Sequence, residues 1–216
     1  MRSIVLANGE YGDLGFYREV LQGFDKIICA DGGANYAYQL GVIPECIIGD
    51  MDSISEEVRN FYQARQVEFK KYPKRKDFTD IQLALSMAEN MGAEEIILLG
   101  TQGKRFDHSL SNLYCGIEYV KRGIGIIHYG PECSIYLTCG SLVINGKVGE
   151  LVSVLPLGGG AAGVYLKGFE YPLENVVLDC DNPYAVSNVL AEETALVQLE
   201  TGVLAVFHYS GQEFAG

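Results

Sequence analysis

The chain has 216 residues, 48% of them hydrophobic, 20% charged and 11% aromatic, which excludes a disordered chain and suits one large domain or two small ones. A formal net charge of -12 excludes unaided binding of nucleic acid, which needs basic surface, but leaves nucleotides open as ligands through local bases, backbone N–H groups and divalent cations. The opening MRSIVLANGEYGDLG holds too short an apolar run for a signal peptide or a membrane span, so a cytoplasmic protein with no membrane partner is expected.

Taken in chain order, short apolar runs alternate with helix-like segments: SIVLA then DLGFYREVLQGF, KIICA then ANYAYQLG, CIIG then SEEVRNFYQAR, VEFKKY then DFTDIQLALSMAENMG, EIILLG then DHSLSNLYCGIEYVKRG, and finally IGIIHYG. This rhythm predicts a parallel α/β sheet of Rossmann-like type, covered by helices, over residues 1–130. From Pro131 the runs become short and strand-like (CSIYLT, SLVIN, LVSVLPL, GVYLKGFEYPL, VVLDC, AVSNVL, TALVQLE, GVLAVFHYS) with Gly, Asn and Pro between them. They predict an antiparallel β-sandwich or barrel over residues 131–216, with the boundary near residues 129–133. The GGGAAG stretch at Gly158–Gly163 reads as a turn, because neither a helix nor a Lys-Ser or Lys-Thr pair follows it. Six scattered cysteines lack C-x-x-C spacing and read as reduced core residues; His128 and His208 have no metal-ligand neighbour at helical spacing.

In a parallel α/β sheet the strand C-terminal ends share one edge, so residues just past different strands meet. Asp31-Gly32-Gly33 follows KIICA, Asp50-Met51-Asp52-Ser53 follows CIIG, and Thr101 to His108 follows EIILLG. Asp50 and Asp52, two apart, leave an extended backbone on one side, and Asp31 and Asp107 approach from other strands. Such a group of carboxylates suits Mg²⁺, although each Asp alone could simply cap a helix. Lys70, Lys71, Lys74, Arg75 and Lys76 lead into Asp77-Phe78-Thr79-Asp80 at a helix start, where dipole and free N–H groups favour an anion. Part of this basic run is expected to face phosphate; otherwise it is a solvated face, Asp77 an N-cap and Asp80 a complement to the dipole.

The stretches ADGGAN (Ala30 to Asn35), PECIIGDMDSI (Pro44 to Ile54), KDFTDIQLAL (Lys76 to Leu85) and GKRFDHSLSNL (Gly103 to Leu113), with LKGFEYPLEN and AVSN further on, resemble the thiamine pyrophosphokinase family. The resemblance implies an α/β domain, a C-terminal β-sandwich, and a homodimer with active sites shared between subunits. It implies that Asp50 and Asp52 hold Mg²⁺, with Asp80 a further candidate ligand, and that Asp31, Asp80 and Asp107 complete the acidic cluster. Arg105 is implied to contact phosphate, and Gly32, Lys76, Asp77, Thr79, Gly103, His108 and Asn112 to line the ATP site. For thiamine it implies Ser187 and Asn188, with Phe169 or Tyr171 offering an aromatic face where relatives often carry a tryptophan that this chain lacks. A strand-core role for both aromatics is the other reading.

The expected reaction is attack by thiamine's hydroxyl on the β-phosphorus of ATP, with AMP leaving. A Mg²⁺-dependent nucleotide phosphohydrolase would use the same acids on water, and a non-catalytic nucleotide or thiamine sensor could share the fold.

Overall fold

The computed structural model describes residues 1–75, 77–103 and 105–211. The fold is mixed α/β, with a mostly parallel sheet and a separate antiparallel sheet. Contacts divide the chain into two compact units, Met1–Cys115 with His128–Gly130, and Gly116–Ile127 with Pro131–Gly216.

In the first unit, β1 (Arg2–Leu6), β2 (Lys26–Ala30), β3 (Cys46–Gly49), β4 (Glu68–Lys71) and β5 (Glu95–Leu99) pair in parallel in the order β4-β3-β2-β1-β5. Ile4, Val5, Leu6, Ile28, Cys29, Ile47, Ile48 and Ile96 to Leu99 are all buried, as continuous apolar strands covered on both faces should be. Between the strands run α1 (Tyr17–Val20), α2 (Gly33–Leu40), α3 (Glu56–Ala64) and α4 (Asp80–Asn90), with α5 (Phe106–Lys121) after β5. Helix α4 buries Ile81, Ala84, Leu85 and Ala88, an i, i+3, i+4, i+7 stripe that packs on β1, β2 and β3. The order steps outward from β1 to β4 and then returns to place β5 on the other side of β1, so the chain reverses direction between β1 and β5.

The segment DLGFYREVLQGF forms less helix than its spacing suggests: a 3₁₀ turn at Leu14–Phe16 and the four-residue α1. Only Tyr17 of these two elements is buried, so there is no apolar stripe to hold a longer helix, and Gly23 takes φ 90° soon after. Strand β6 (Gly125–Tyr129) contributes its last residues to the first unit.

In the second unit β7 (Ser134–Thr138), β9 (Leu151–Pro156), β12 (Asn188–Val189) and β14 (Leu204–Tyr209) pair antiparallel in the order β12-β9-β14-β7. The strands β8 (Ser141–Asn145), β10 (Ala161–Lys167), β11 (Leu173–Leu178) and β13 (Thr194–Gln198) form a second antiparallel set, β11-β10-β13-β8. Alternate residues of both sets, among them Val152, Val154, Val164, Leu166, Val197 and Val206, share one core. The GGGAAG stretch divides: Gly158 and Gly159 turn with φ 74° and 149°, and Ala161 opens β10. AVSNVL yields only the two-residue β12, because Ser187 adopts φ 57° and breaks the extended run.

All six cysteines are free thiols; Cys29, Cys46 and Cys133 are buried, whereas Cys139 and Cys180 are exposed, contrary to the expectation that all six are core. Both lie outside strands, just after β7 and β11. No helix among the described residues is long and apolar enough to cross a membrane.

Candidate active site

A cavity of about 860 Å³ opens at the C-terminal edge of the parallel sheet, lined from Ala7 to Glu10 after β1, by Ala30 at the end of β2 and Asp31 just past it, by Asp50, Asp52 and Ser53 after β3, and by Gly100 to Gly103 after β5. This is the switch point of the strand order, where the connections leave β1 and β5 in opposite directions and part to leave a crevice. Its size is in the range that takes a nucleotide-sized ligand.

Glycine lets backbones meet at this edge. A Cβ on Gly33 would stand 2.0 Å from the Leu6 carbonyl oxygen, and one on Gly9 2.2 Å from the Gly100 carbonyl oxygen, so α2 and the β5 loop reach the end of β1 only without side chains there. The Tyr11 hydroxyl donates to the carbonyl oxygens of Ala7 at 3.0 Å and Leu99 at 3.2 Å, tying the two strand ends together. Its ring stacks on Tyr36, with centroids 4.1 Å apart, and Tyr36 lines the cavity.

The carboxylates of Asp31, Asp50 and Asp52 each offer an oxygen within 4.8 Å of the others. Asp31 is buried with φ 44°, and its Oδ1 has no hydrogen-bond partner among the described residues. A non-glycine residue in that conformation costs energy and persists only where its surroundings enforce it. Asp80 lines the same cavity at the start of α4; its Oδ1 would stand 3.0 Å from a Cβ on Gly49, as would the Cβ of Asp31. Asp80 does not share the close three-carboxylate cluster. Hard carboxylate oxygens, one of them buried and unpartnered, fit a divalent cation such as Mg²⁺.

Among the described residues two cationic side chains, Lys74 and Arg105, line the cavity with these acids. Lys74 Nζ lies 2.5 Å from Asp52 Oδ2; this bond, with one from Ser53, holds the Asp52 carboxyl below the usual range, and Asp52 in turn raises Lys74. Arg105 makes a two-pronged contact with Asp107, Nε to Oδ1 at 3.1 Å and Nη2 to Oδ2 at 2.5 Å, which lowers the Asp107 carboxyl. Both Arg105 and Asp107 are mostly exposed, so the guanidinium keeps N–H groups available to a ligand. Among the described residues the lining carries Glu10 and five aspartates against Lys74 and Arg105. Added cations would lower the electrostatic cost of bringing a polyanion into so acidic a cleft.

Of the residues expected at the ATP site, Thr79, Gly103, His108 and Asn112 line the cavity. Gly32 stands just behind, where a Cβ would be 2.4 Å from the Asn8 side chain. Asp77 is outside the lining and is not the helix cap: Thr79 caps α4, its Oγ1 accepting from Gln82 N at 3.2 Å while Gln82 Oε1 accepts from Thr79 N at 2.8 Å. Lys76 lies outside the described residues. Asn8, Gly9, Glu10 and Tyr36 line the cavity without having been singled out in the sequence; the first three follow an apolar strand, the same signal that identified Asp31 and Asp50.

The residues expected at thiamine belong to the second unit. Phe169 is buried in its core, whereas Tyr171 is 61% exposed. Asn188 is buried; its Oδ1 accepts from the backbone N of Tyr171 at 3.0 Å and its Nδ2 donates to the Tyr171 carbonyl oxygen at 2.7 Å. Its carboxamide thus acts as a strand partner for Tyr171. Exposed Ser187 donates its backbone N–H to Ser153 Oγ at 3.0 Å.

Fold and site together define a mixed α/β protein with an acidic ligand cleft at the switch point of a parallel sheet. Two family models match the chain: thiamin pyrophosphokinase, catalytic domain, over residues 17–128, and thiamin pyrophosphokinase, vitamin B1 binding domain, over residues 141–204. The chain belongs to the thiamin pyrophosphokinase family. It is 28% identical over 179 residues to the thiamine pyrophosphokinase of Bacillus subtilis (strain 168), covering 82% of this chain and 84% of that protein. With thiamine pyrophosphokinase 1 of Oryza sativa subsp. japonica it shares 27% identity over 203 residues, covering 82% and 76%. The crystal structure of the Bacillus subtilis thiamine pyrophosphokinase matches with a TM-score of 0.86 at 25% identity, over 98% of this chain and 100% of that one. That of the Geobacillus thermodenitrificans enzyme matches with 0.82 at 26% identity over 100% of both.

Proposed function

We propose that the cavity of the first unit binds ATP and transfers its terminal pyrophosphoryl group to thiamine. Family membership makes the protein an enzyme, a thiamine pyrophosphokinase. The observation that carries the site assignment is the Asp31, Asp50 and Asp52 cluster with a buried, unpartnered oxygen, inside the span of the catalytic-domain match.

In this reading Asp31, Asp50 and Asp52 hold Mg²⁺, with Asp80 beside them. The ion would neutralise charge on the phosphate oxygens as the transferring group loosens from its leaving group. Lys74 exchanges Asp52 for a phosphate oxygen, and Arg105, oriented by Asp107, donates its remaining N–H groups to another. His108, Gly103, Thr79 and Asn112 shape the rest of the nucleotide site. Thiamine's hydroxyl oxygen bonds to the β-phosphorus, the bond from that phosphorus to the oxygen bridging it to the α-phosphorus breaks, AMP leaves, and an aspartate takes the alcohol proton. Donors and charges held ready in this way lower the barrier without rearrangement at the moment of transfer.

In the same reading residues 1–130 form a Rossmann-like domain and residues 131–216 a β-sandwich that presents thiamine's partners. Tyr171 offers a face to the cationic thiazolium, Ser187 a hydroxyl, and Asn188 holds Tyr171 in place. The enzyme works in the cytoplasm as a homodimer whose sites are completed across subunits. Incubation with ATP, Mg²⁺ and thiamine, followed by product separation, tests the reaction: AMP and thiamine diphosphate should form in equal amounts. Phosphate or pyrophosphate released at the same rate without thiamine would instead identify a phosphohydrolase. A fully active monomer by light scattering would refute the shared site.

A further inference from the structure

We infer that the Thr101 hydroxyl donates a hydrogen bond to the nucleotide, and that His128 sets it up to do so by occupying its oxygen as an acceptor; this rests on the reading of the cavity as the ATP site. Thr101 follows β5, lines the cavity and is itself buried. Its carbonyl oxygen accepts from Asn112 Nδ2 at 2.9 Å, which fixes the turn. Its Oγ1 lies 2.8 Å from Nδ1 of His128, a buried residue near the end of β6 whose Nε2 has no partner among the described residues.

Burial alone pushes the His128 pKa down to about 3, so the ring is neutral and carries one N–H. With the proton on Nε2, a buried N–H would go unpaired, and Thr101 would have to spend its own proton on Nδ1. With the proton on Nδ1, His128 donates to Thr101 Oγ1 and only a lone pair is left over. Orphaned buried N–H groups are rarer than under-used acceptors, so the second tautomer is the stable one. Thr101 then accepts from His128 and retains its hydroxyl hydrogen, with the cavity as its outlet. The matching group on the nucleotide is an acceptor, either a phosphate oxygen or an atom of the nucleoside. Neither Thr101 nor His128 carries charge, so the device adds selectivity to an acidic cleft without altering its charge.

The test uses the full-length protein. Nitrogen-15 NMR of labelled histidine should show His128 as the neutral Nδ1–H tautomer from about pH 5 to 8. Thr101→Val, which removes the hydroxyl at nearly constant shape, should weaken binding of a non-hydrolysable ATP analogue with Mg²⁺ by about fivefold. The thiamine KM should stay unchanged, and Thr101→Ser should restore nucleotide affinity. Parallel titration with inorganic tripolyphosphate tells the two acceptors apart: an equal loss points to a phosphate oxygen, and a loss for the ATP analogue alone to the nucleoside. An Nε2–H tautomer, or wild-type affinity in Thr101→Val, would overturn the inference alone. A wild-type protein that binds no nucleotide would overturn it together with the site reading.

Discussion

Asp31 illustrates what a single residue at this site stores: a buried carboxylate, a left-handed backbone and an oxygen with nothing to accept from among the described residues. Such a group is costly unless a cation satisfies it. Asp50→Asn and Asp52→Asn remove ligand charge at nearly constant size and should abolish turnover while circular dichroism and melting stay near wild type; turnover at the wild-type Mg²⁺ requirement would contradict the assignment. His128 makes a prediction of opposite character, about stability. Its folded pKa, about 3, lies below the ordinary value of 6.5, so the unfolded chain binds the proton first as pH falls. Its contribution is therefore complete above about pH 6.5 and declines on acidification toward about pH 3. Urea unfolding of His128→Gln should show a shallower loss of stability over that window than wild type. Asp31, Asp50, Asp52 and Asp107 were legible in the sequence because the strand-edge rule needs only the end of an apolar run. Asn8 to Glu10 obey the same rule but lack a cluster of acids to attract notice. Tyr36 could not be read, since its place depends on stacking with Tyr11.

At the level of elements, the buried strands and α4 were legible from their periodicity, because burial on two faces, or on one helical stripe, leaves a repeating pattern. The short α1 and β12 were not: one is held by aromatic contacts and the other is interrupted at Ser187, both tertiary effects. The same contrast governs two variants of the second unit. Asn188→Ala strips a paired carboxamide from the Tyr171 backbone and should cost about 1–3 kcal/mol of stability, with a raised thiamine KM as a secondary result. Tyr171→Ala removes an exposed ring, so it should raise the thiamine KM with melting unchanged. If thiamine kinetics are normal in both, this end of β12 is only a strand junction. The close approach of α2 to β1 gives a third test. Gly33→Ala must displace the helix from a backbone oxygen, and a loss of about 1–3 kcal/mol is expected in urea unfolding.

For the whole molecule, a net charge of -12 and a cleft rich in acids lead to the prediction, on the proposed function, that nucleotide and divalent cation bind as partners. Each should tighten the other by the same factor. An ATP analogue at a hundred times its Kd should raise unfolding free energy by about 2.7 kcal/mol only when Mg²⁺ is present, and Asp50→Asn should lose that gain. Calorimetric melting with analogue alone, ion alone and both separates these cases; full stabilisation by the analogue without the ion would remove the metal from the account.

The distribution of free thiols turns the protein into its own clock. Cys29 and Cys46 sit in the middle of the parallel sheet with pKa values pushed up by burial, and so are inert until that sheet opens. Cys139 and Cys180 stand at the surface of the antiparallel unit. An aromatic disulfide reagent should therefore colour in stages, an immediate one from Cys139 and Cys180 and slower ones from half-buried Cys115 and buried Cys133, Cys29 and Cys46, the phase of Cys29 and Cys46 reporting breathing of the parallel sheet without an introduced label.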